Sequence, residues 1–233
     1  MKQALFLFFA LIIFASCHYE TGSGNMVTET RTVGSFDAIS VGGSFEVEVK
    51  TGPVASVVVE ADDNIIKYIE TTVSAGTLKI STEGMNNFND VHMKVYVTAP
   101  SITGIRASAS ADVAVAGTLT NDSKLSFIAS SSASIKADVN APEVETEANS
   151  SADITLSGKT KNHRTSASSS ADIRTFDLLS ENTTADASSS ATIQVHASVS
   201  LNAKASSSGS VEYKGAAAIQ KSENSSGSVE KKD

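Results

Sequence analysis

The chain contains no tryptophan, one cysteine and three prolines in 233 residues. A single cysteine excludes an intramolecular disulfide framework and any multi-thiolate metal site. The four histidines, His18, His92, His163 and His196, show no metal-ligand spacing. They are read as surface or edge residues, and no metal or other cofactor is expected. Aromatic residues make up only 6% of the chain, which leaves little for the stacking platform of a sugar cleft. Basic clusters are missing as well. Lys and Arg number 18 against 26 Asp and Glu, for a net charge of −8, and scattered cations on an acidic chain argue against nucleic acid as a partner. No G-x-S-x-G occurs, the one S-x-x-K match (Ser228 to Lys231) lies in the C-terminal tail, and the Gly/Asp-rich calcium nonapeptide is absent.

What is present begins with a leader. Lys2 precedes an apolar stretch from Ala4 to Ala15, then Ser16-Cys17. The stretch is too short to span a bilayer and has the charged start and apolar middle of a secretory signal. Phe14-Ala15-Ser16-Cys17 resembles a bacterial lipobox, departing from it in having Phe rather than Leu three positions before the cysteine. The expectation is a signal peptide over 1–16, a lipid anchor at Cys17 and a polar linker over 17–32 containing Gly22-Ser23-Gly24-Asn25. The implied partner is a membrane held through that lipid, and the implied place is the cell envelope, as an outer-membrane lipoprotein facing either the periplasm or the surface.

The second half is dominated by one returning phrase. It reads Ser110-Ala111-Asp112-Val113, Ser132-Ala133-Ser134-Ile135, Ser151-Ala152-Asp153-Ile154, Ser170-Ala171-Asp172-Ile173, Ser190-Ala191-Thr192-Ile193, Ser208-Gly209-Ser210-Val211 and Ser226-Gly227-Ser228-Val229. Successive branched positions are 22, 19, 19, 20, 18 and 18 residues apart. A near-constant period marks a solenoid, whose coils bury apolar surface only against one another. Ser-rich sequence disfavours helix, and branched residues at fixed places argue against a flexible Ser tract. The fold expected is all-β, a parallel β-helix whose coils rise by about 4.8 Å each.

Counting back from each branched anchor in twos assigns one parity inward. Two before stand Ala or Gly, four before mostly Ser (Ser131, Ser150, Ser169), six before Ala (Ala129, Ala148, Ala167), with Glu223 interrupting the last column. The inward Ser column is expected to form a buried hydroxyl ladder. The other parity is polar throughout and is expected to stack into three hydroxyl-rich columns on one outer face.

Residues 33–105 alternate differently, with Phe45-Glu46-Val47-Glu48-Val49 and Met93-Lys94-Val95-Tyr96-Val97 as examples. They hold most of the large apolar residues and are expected to be a β-rich N-terminal cap over the repeats of 106–229, in one domain over 33–233. Asp62-Asp63-Asn64 before Ile65-Ile66 predicts a short helical turn capped by an Asp.

Val33-Gly34-Ser35-Phe36-Asp37-Ala38-Ile39, Val57 to Ile65, Gly76-Thr77-Leu78-Lys79-Ile80 and the Ser-Ala-Asp-Ile repeats together resemble the putative auto-transporter adhesin, head GIN domain family. The resemblance runs from about Val33 to Val211. It implies a right-handed β-helix on an envelope lipoprotein, and no catalytic residues carry over from it.

The candidate ligand-binding residues are Asp112, Asp153, Asp172 and Arg174. Asp153 and Asp172 share a column 19 residues apart, so stacked coils bring their backbones within about 4.8 Å. Paired carboxylates near 5 Å are what retaining glycosidases use. The Ser and Thr residues completing the column point instead to a solvated ladder. The leading functional expectation is a non-catalytic, adhesin-like surface for glycan or protein. The alternatives are a carbohydrate-active enzyme using Asp153 and Asp172, or a purely structural envelope component.

Overall fold

The computed structural model describes residues 19–84 and 87–233. The segment expected to be a signal peptide, 1–16, and Cys17 lie outside the described residues. Strands β1 (Tyr19–Thr21) and β2 (Met26–Arg31) come first, then β3 (Ala38–Gly42) and β4 (Glu46–Thr51). Next are β5 (Ser56–Asp62), a 3₁₀ turn over Ile66–Tyr68, β6 (Ile69–Ser74), β7 (Thr77–Thr82), β8 (Asn87–Asn89) and β9 (Met93–Ala99). The repeats supply β10 (Gly104–Ser108), β11 (Asp112–Thr120), β12 (Lys124–Ser130), β13 (Ser134–Asn149), β14 (Asp153–Ser168) and β15 (Asp172–Thr175). The chain ends with β16 (Leu178–Ala187), β17 (Thr192–His196), β18 (Ser200–Ala205), β19 (Ser210–Lys214), β20 (Ala218–Glu223) and β21 (Ser228–Lys231). Stacked parallel coils make a β-solenoid of about seven turns.

Each coil crosses two parallel sheets that meet at the serine phrase. The first sheet stacks β3, β10, β12 and the ends of β13 and β14, then β16, β18 and β20. The second stacks β4, β11, the starts of β13 and β14, then β15, β17, β19 and β21. The repeats are in register as expected: Ile135 pairs Ile154, Ile154 pairs Ile173, and Ile173 pairs Ile193. These anchors are buried, and so are the flanking alanines Ala129, Ala133, Ala148, Ala152, Ala167 and Ala171. Small side chains on both sides of the corner keep the shaft narrow and dry, while each buried Ile or Val contributes about 1.5–3 kcal/mol.

The serines four before the anchor overturn their assignment. Ser131, Ser150 and Ser169 are exposed, and they form no buried hydroxyl ladder. At each corner two consecutive residues have positive φ: 53° and 62° at Ser131-Ser132, 55° and 61° at Ser150-Ser151, 56° and 60° at Ser169-Ser170. Two left-handed residues in succession make a type I′-like turn, closed at Ser130 by the Ala133 N–H at 3.2 Å. The turn lifts both serines out of the alternation, so the three polar columns wrap a corner rather than line one flat face.

The same turn explains what stacks. Ser110 N–H donates to Ser131 C=O, Ser132 to Ser150, Ser151 to Ser169, Ser170 to Ser189, Ser190 to Ser207 and Ser208 to Ser225, all at 3.0 Å. These bonds run from one coil toward the next in sequence. The flanking bonds run the other way, for example Asp153 N–H to Ala133 C=O at 2.9 Å and Asp172 N–H to Ala152 C=O at 2.9 Å. At the five inner corners, from Ser131-Ser132 to Ser207-Ser208, the one peptide group between the two serines both accepts and donates.

The N-terminal region caps the stack, as the sequence suggested, by a route the sequence did not reveal. β3 and β4 are not the terminal coil; β7 pairs the far side of β3 and β9 the far side of β4. Antiparallel β6 then covers β7, and antiparallel β5 and β2 extend from β9. The exposed parallel edge is thus closed by strands of the same chain.

Most of the stretch expected to be a tether, 17–32, is strand from Tyr19 onward. β1 pairs β8 and β2 pairs β5. The cause is Asp62. Instead of capping a helical turn, it is buried with 3% exposure and accepts the N–H groups of Gly24 at 2.7 Å and His92 at 2.8 Å. The His92 N–H, ahead of an opposing burial effect, holds its carboxyl below the usual Asp range. The 3₁₀ turn itself begins after Ile65 with no side-chain cap. Asn64 adds two bonds, accepting from Ser23 N–H at 3.0 Å and donating to Thr21 C=O at 2.8 Å. A Cβ on Gly22 would meet Asp62 Oδ2 at 2.7 Å, so only glycine passes beneath the carboxylate.

One histidine also departs from expectation. His163 is not at a surface or edge; it is 2% exposed, stacked between Val144 and Thr183. Its Nε2 lies 3.2 Å from Thr146 Oγ1, while Nδ1 has no partner among the described residues. Burial pushes the imidazole down to about 4.

Two outcomes follow. Ser170→Val should lower unfolding free energy by about 1–2 kcal/mol, because a branched side chain resists positive φ, while Ser170→Gly should stay within about 0.5 kcal/mol. Urea denaturation measures both, and equal losses would contradict the corner geometry. For His163, stability should be full above the unfolded value of 6.5. It should then fall by up to about 3 kcal/mol toward pH 4, because only the unfolded chain takes up the proton. His163→Leu should flatten that slope; an unchanged slope assigns the acid sensitivity elsewhere.

Candidate functional site

The first outward residue of each second-sheet strand carries the sequence candidates. Asp112 pairs Ser134, Ser134 pairs Asp153, and Asp153 pairs Asp172. Strand alternation points all of them outward, since the neighbouring Val113, Ile135, Ile154 and Ile173 point in. Ser134 Oγ donates to Asp112 Oδ1 at 2.7 Å. Arg174 donates through Nη1 to Asp153 Oδ1 and through Nη2 to Asp172 Oδ2 at 2.8 Å. The structure therefore brings Asp153, Asp172 and Arg174 together and leaves Asp112 two coils from Asp153, with Ser134 between them.

The guanidinium decides what this cluster can do. It bridges the two carboxylates, occupying the place a glycosidic oxygen would need between an acid and a nucleophile. The three side chains are 45%, 39% and 48% exposed, so water reaches them freely and each pair contributes about 0–1 kcal/mol. Farther along the face Gln194 Nε2 donates to Glu212 Oε2 at 2.9 Å. These polar groups have one another as partners. Among the described residues no three His, Cys, Asp or Glu side chains converge as a metal site requires.

The outer face of the first sheet went unread in the sequence. Here Asn162 pairs Asn182 and Asn182 pairs Ser200, while Arg164 pairs Thr184 and Thr184 pairs Asn202. Two rows of outward side chains run along the solenoid over the backbone of His163, Thr183 and Leu201, flanking a groove of about 660 Å³. Asn182 Nδ2 donates to Asn162 Oδ1 at 3.3 Å, and Ser200 Oγ donates to Asn182 Oδ1 at 2.8 Å. Arg164, Thr184, Asn202 and Gln220 have polar side chains with no protein partner among the described residues. A signal existed: Asn162, Asn182 and Asn202 recur every 20 residues. The last coils shorten to 18, so that spacing places Asn202 beside Thr184 and not under Asn182.

Comparison with known proteins agrees with the fold. A putative adhesin from Bacteroides fragilis superposes with a TM-score of 0.83 at 20% identity, over 91% of this chain and 100% of that one. A putative adhesin from Parabacteroides distasonis gives 0.74 at 23% identity, over 92% and 100%. A putative lipid binding protein from the same species gives 0.72 at 22% identity, over 93% and 100%. No curated protein matches the chain. The model of one family, the putative auto-transporter adhesin, head GIN domain, matches residues 35–217. With most of its length covered by that match, the chain belongs to the putative auto-transporter adhesin, head GIN domain family.

Proposed function

We propose that this protein is a non-catalytic, adhesin-like lipoprotein of the cell envelope, held in the outer membrane through Cys17 and presenting a rigid polar solenoid to glycan or protein. The observation carrying this reading is the run of outward polar columns, kept at fixed pitch by the unbroken corner bonds between Ser110 and Ser225. A surface that repeats coil by coil suits repeated weak contacts, which add through effective concentration rather than through one deep pocket. The bridging of Asp153 and Asp172 by Arg174 favours this over the carbohydrate-active enzyme. Family membership supports the adhesive part, and the lipobox-like Phe14-Ala15-Ser16-Cys17 supports the anchor.

The anchor and the adhesion separate experimentally. Replacing Cys17 with Ser should abolish incorporation of labelled palmitate and move the protein out of the membrane fraction; unchanged labelling would remove the lipoprotein assignment. Purified residues 18–233 should bind glycans or host-matrix proteins on arrays and displace whole-cell attachment. Failure to bind any of them would remove the adhesive assignment.

A further inference from the structure

The two outer faces differ in one chemical respect. On the second sheet Asp112 accepts from Ser134, Arg174 donates to Asp153 and Asp172, and Gln194 donates to Glu212. On the first sheet, Thr184, Asn202 and Gln220 have theirs free of protein partners among the described residues, and Asn162 and Asn182 are linked by a single bond. An amide carries two donor hydrogens and an acceptor oxygen with two lone pairs. The Asn162–Asn182–Ser200 ladder therefore leaves donors and acceptors over, and the opposite row leaves all of its own. We propose that this groove is a binding site for an uncharged glycan chain lying along the solenoid axis.

The chemistry of the walls selects the class. Sugar hydroxyls both donate and accept, which is the capacity that Asn, Gln, Ser and Thr offer here and that a carboxylate or ammonium lacks. Glu143 and Arg164 are the charged residues among the described ones that line the groove, one of each sign, so its lining carries no net charge to select a polyanion or polycation. An extended peptide needs an open strand edge or apolar side-chain pockets. Every strand beneath the groove except β20 is paired on both sides. A protein partner would require a central apolar or aromatic patch to bury; the outward side chains here are amides and hydroxyls apart from Glu143, Arg164 and the small Ala218 at one end. The rows repeat with the coil rise of about 4.8 Å, close to the length of one sugar residue, so successive residues of a linear glycan meet successive coils. Ala218 continues the outward row from Ser200 and offers a small apolar surface to the C–H face of a sugar at that end.

This site rests on the adhesive reading above, and the test separates the two. The full secreted chain and two variants are applied to one array bearing neutral glycans, uronate and sulfated glycans, and matrix proteins. One variant replaces the groove residues (Asn182→Ala, Thr184→Ala, Asn202→Ala). The other replaces outward residues of the second sheet (Lys136→Ala, Thr155→Ala, Gln194→Ala). Circular dichroism and melting confirm that both fold. The expected result is binding to neutral glycans that falls by at least about tenfold in the groove variant, roughly 1.4 kcal/mol, and persists in the second-sheet variant. Binding that survives the groove substitutions overturns the site while leaving adhesion standing. Capture of acidic glycans or matrix proteins alone overturns the ligand class and again leaves adhesion standing. An array on which the unmodified chain binds nothing overturns both.

Discussion

The structure depends on a peptide group turned over at every corner. Between the two left-handed residues, the C=O points back toward the preceding coil and the N–H forward, against the sense of the bonds that flank it, such as Asp153 N–H to Ala133 C=O. Stacked, these peptides form a single column of six 3.0 Å hydrogen bonds from Ser110 to Ser225, in which each bond polarises the next. The left-handed conformation costs about 1–2 kcal/mol for each residue with a Cβ. That cost is offset by bonds that an exposed turn otherwise makes only to water, and by burying Ala and Ile columns immediately on either side. Every corner residue but Ala109 is serine, a side chain small enough for close stacking and polar enough for full exposure.

From that corner the rest follows outward. A fixed corner fixes the register of both sheets, and the register fixes which residues share a column. The interior stays narrow with alanine and branched anchors, and its buried polar residues in the repeats include Thr146, Thr160, His163, Thr165, Thr175, Ser180 and Thr183. The exterior carries two ranks of polar groups at one pitch but in different states. One rank is closed by Arg174 between two aspartates; the other is an amide row with hydrogen-bonding capacity left over.

How much the sequence disclosed depended on whether a feature was periodic. The coil, its alanine columns and the pairing of Asp153 with Asp172 were legible because a period of about 20 is a statement about stacking. The serines four before each anchor were misplaced because strand alternation was carried through two residues of positive φ, and no residue type there announces it: glycine and asparagine, the usual markers, are absent. Asp62 looked like a helix cap, since an Asp before a short apolar run does; its true partners, Gly24 and His92, lie 38 and 30 residues away. The amide groove was hidden by the shortening of the last coils from 20 to 18 residues, which shifts columns that a constant spacing would align. His163 shares its inward column with Val144, Thr183 and Leu201, a mixture with no period that would mark a buried imidazole.

Amide hydrogen exchange tests the corner column most directly. Ser132, Ser151, Ser170 and Ser190 sit on exposed turn tips, where a backbone N–H ordinarily exchanges with water at rates near those of a free chain. The account predicts protection at these four amides comparable to that of the buried strand residues Ile154 and Ile173, because each donates to the next coil. Fast exchange at the four serines alongside protected strands would contradict it, and would leave the coils held by their sheets alone.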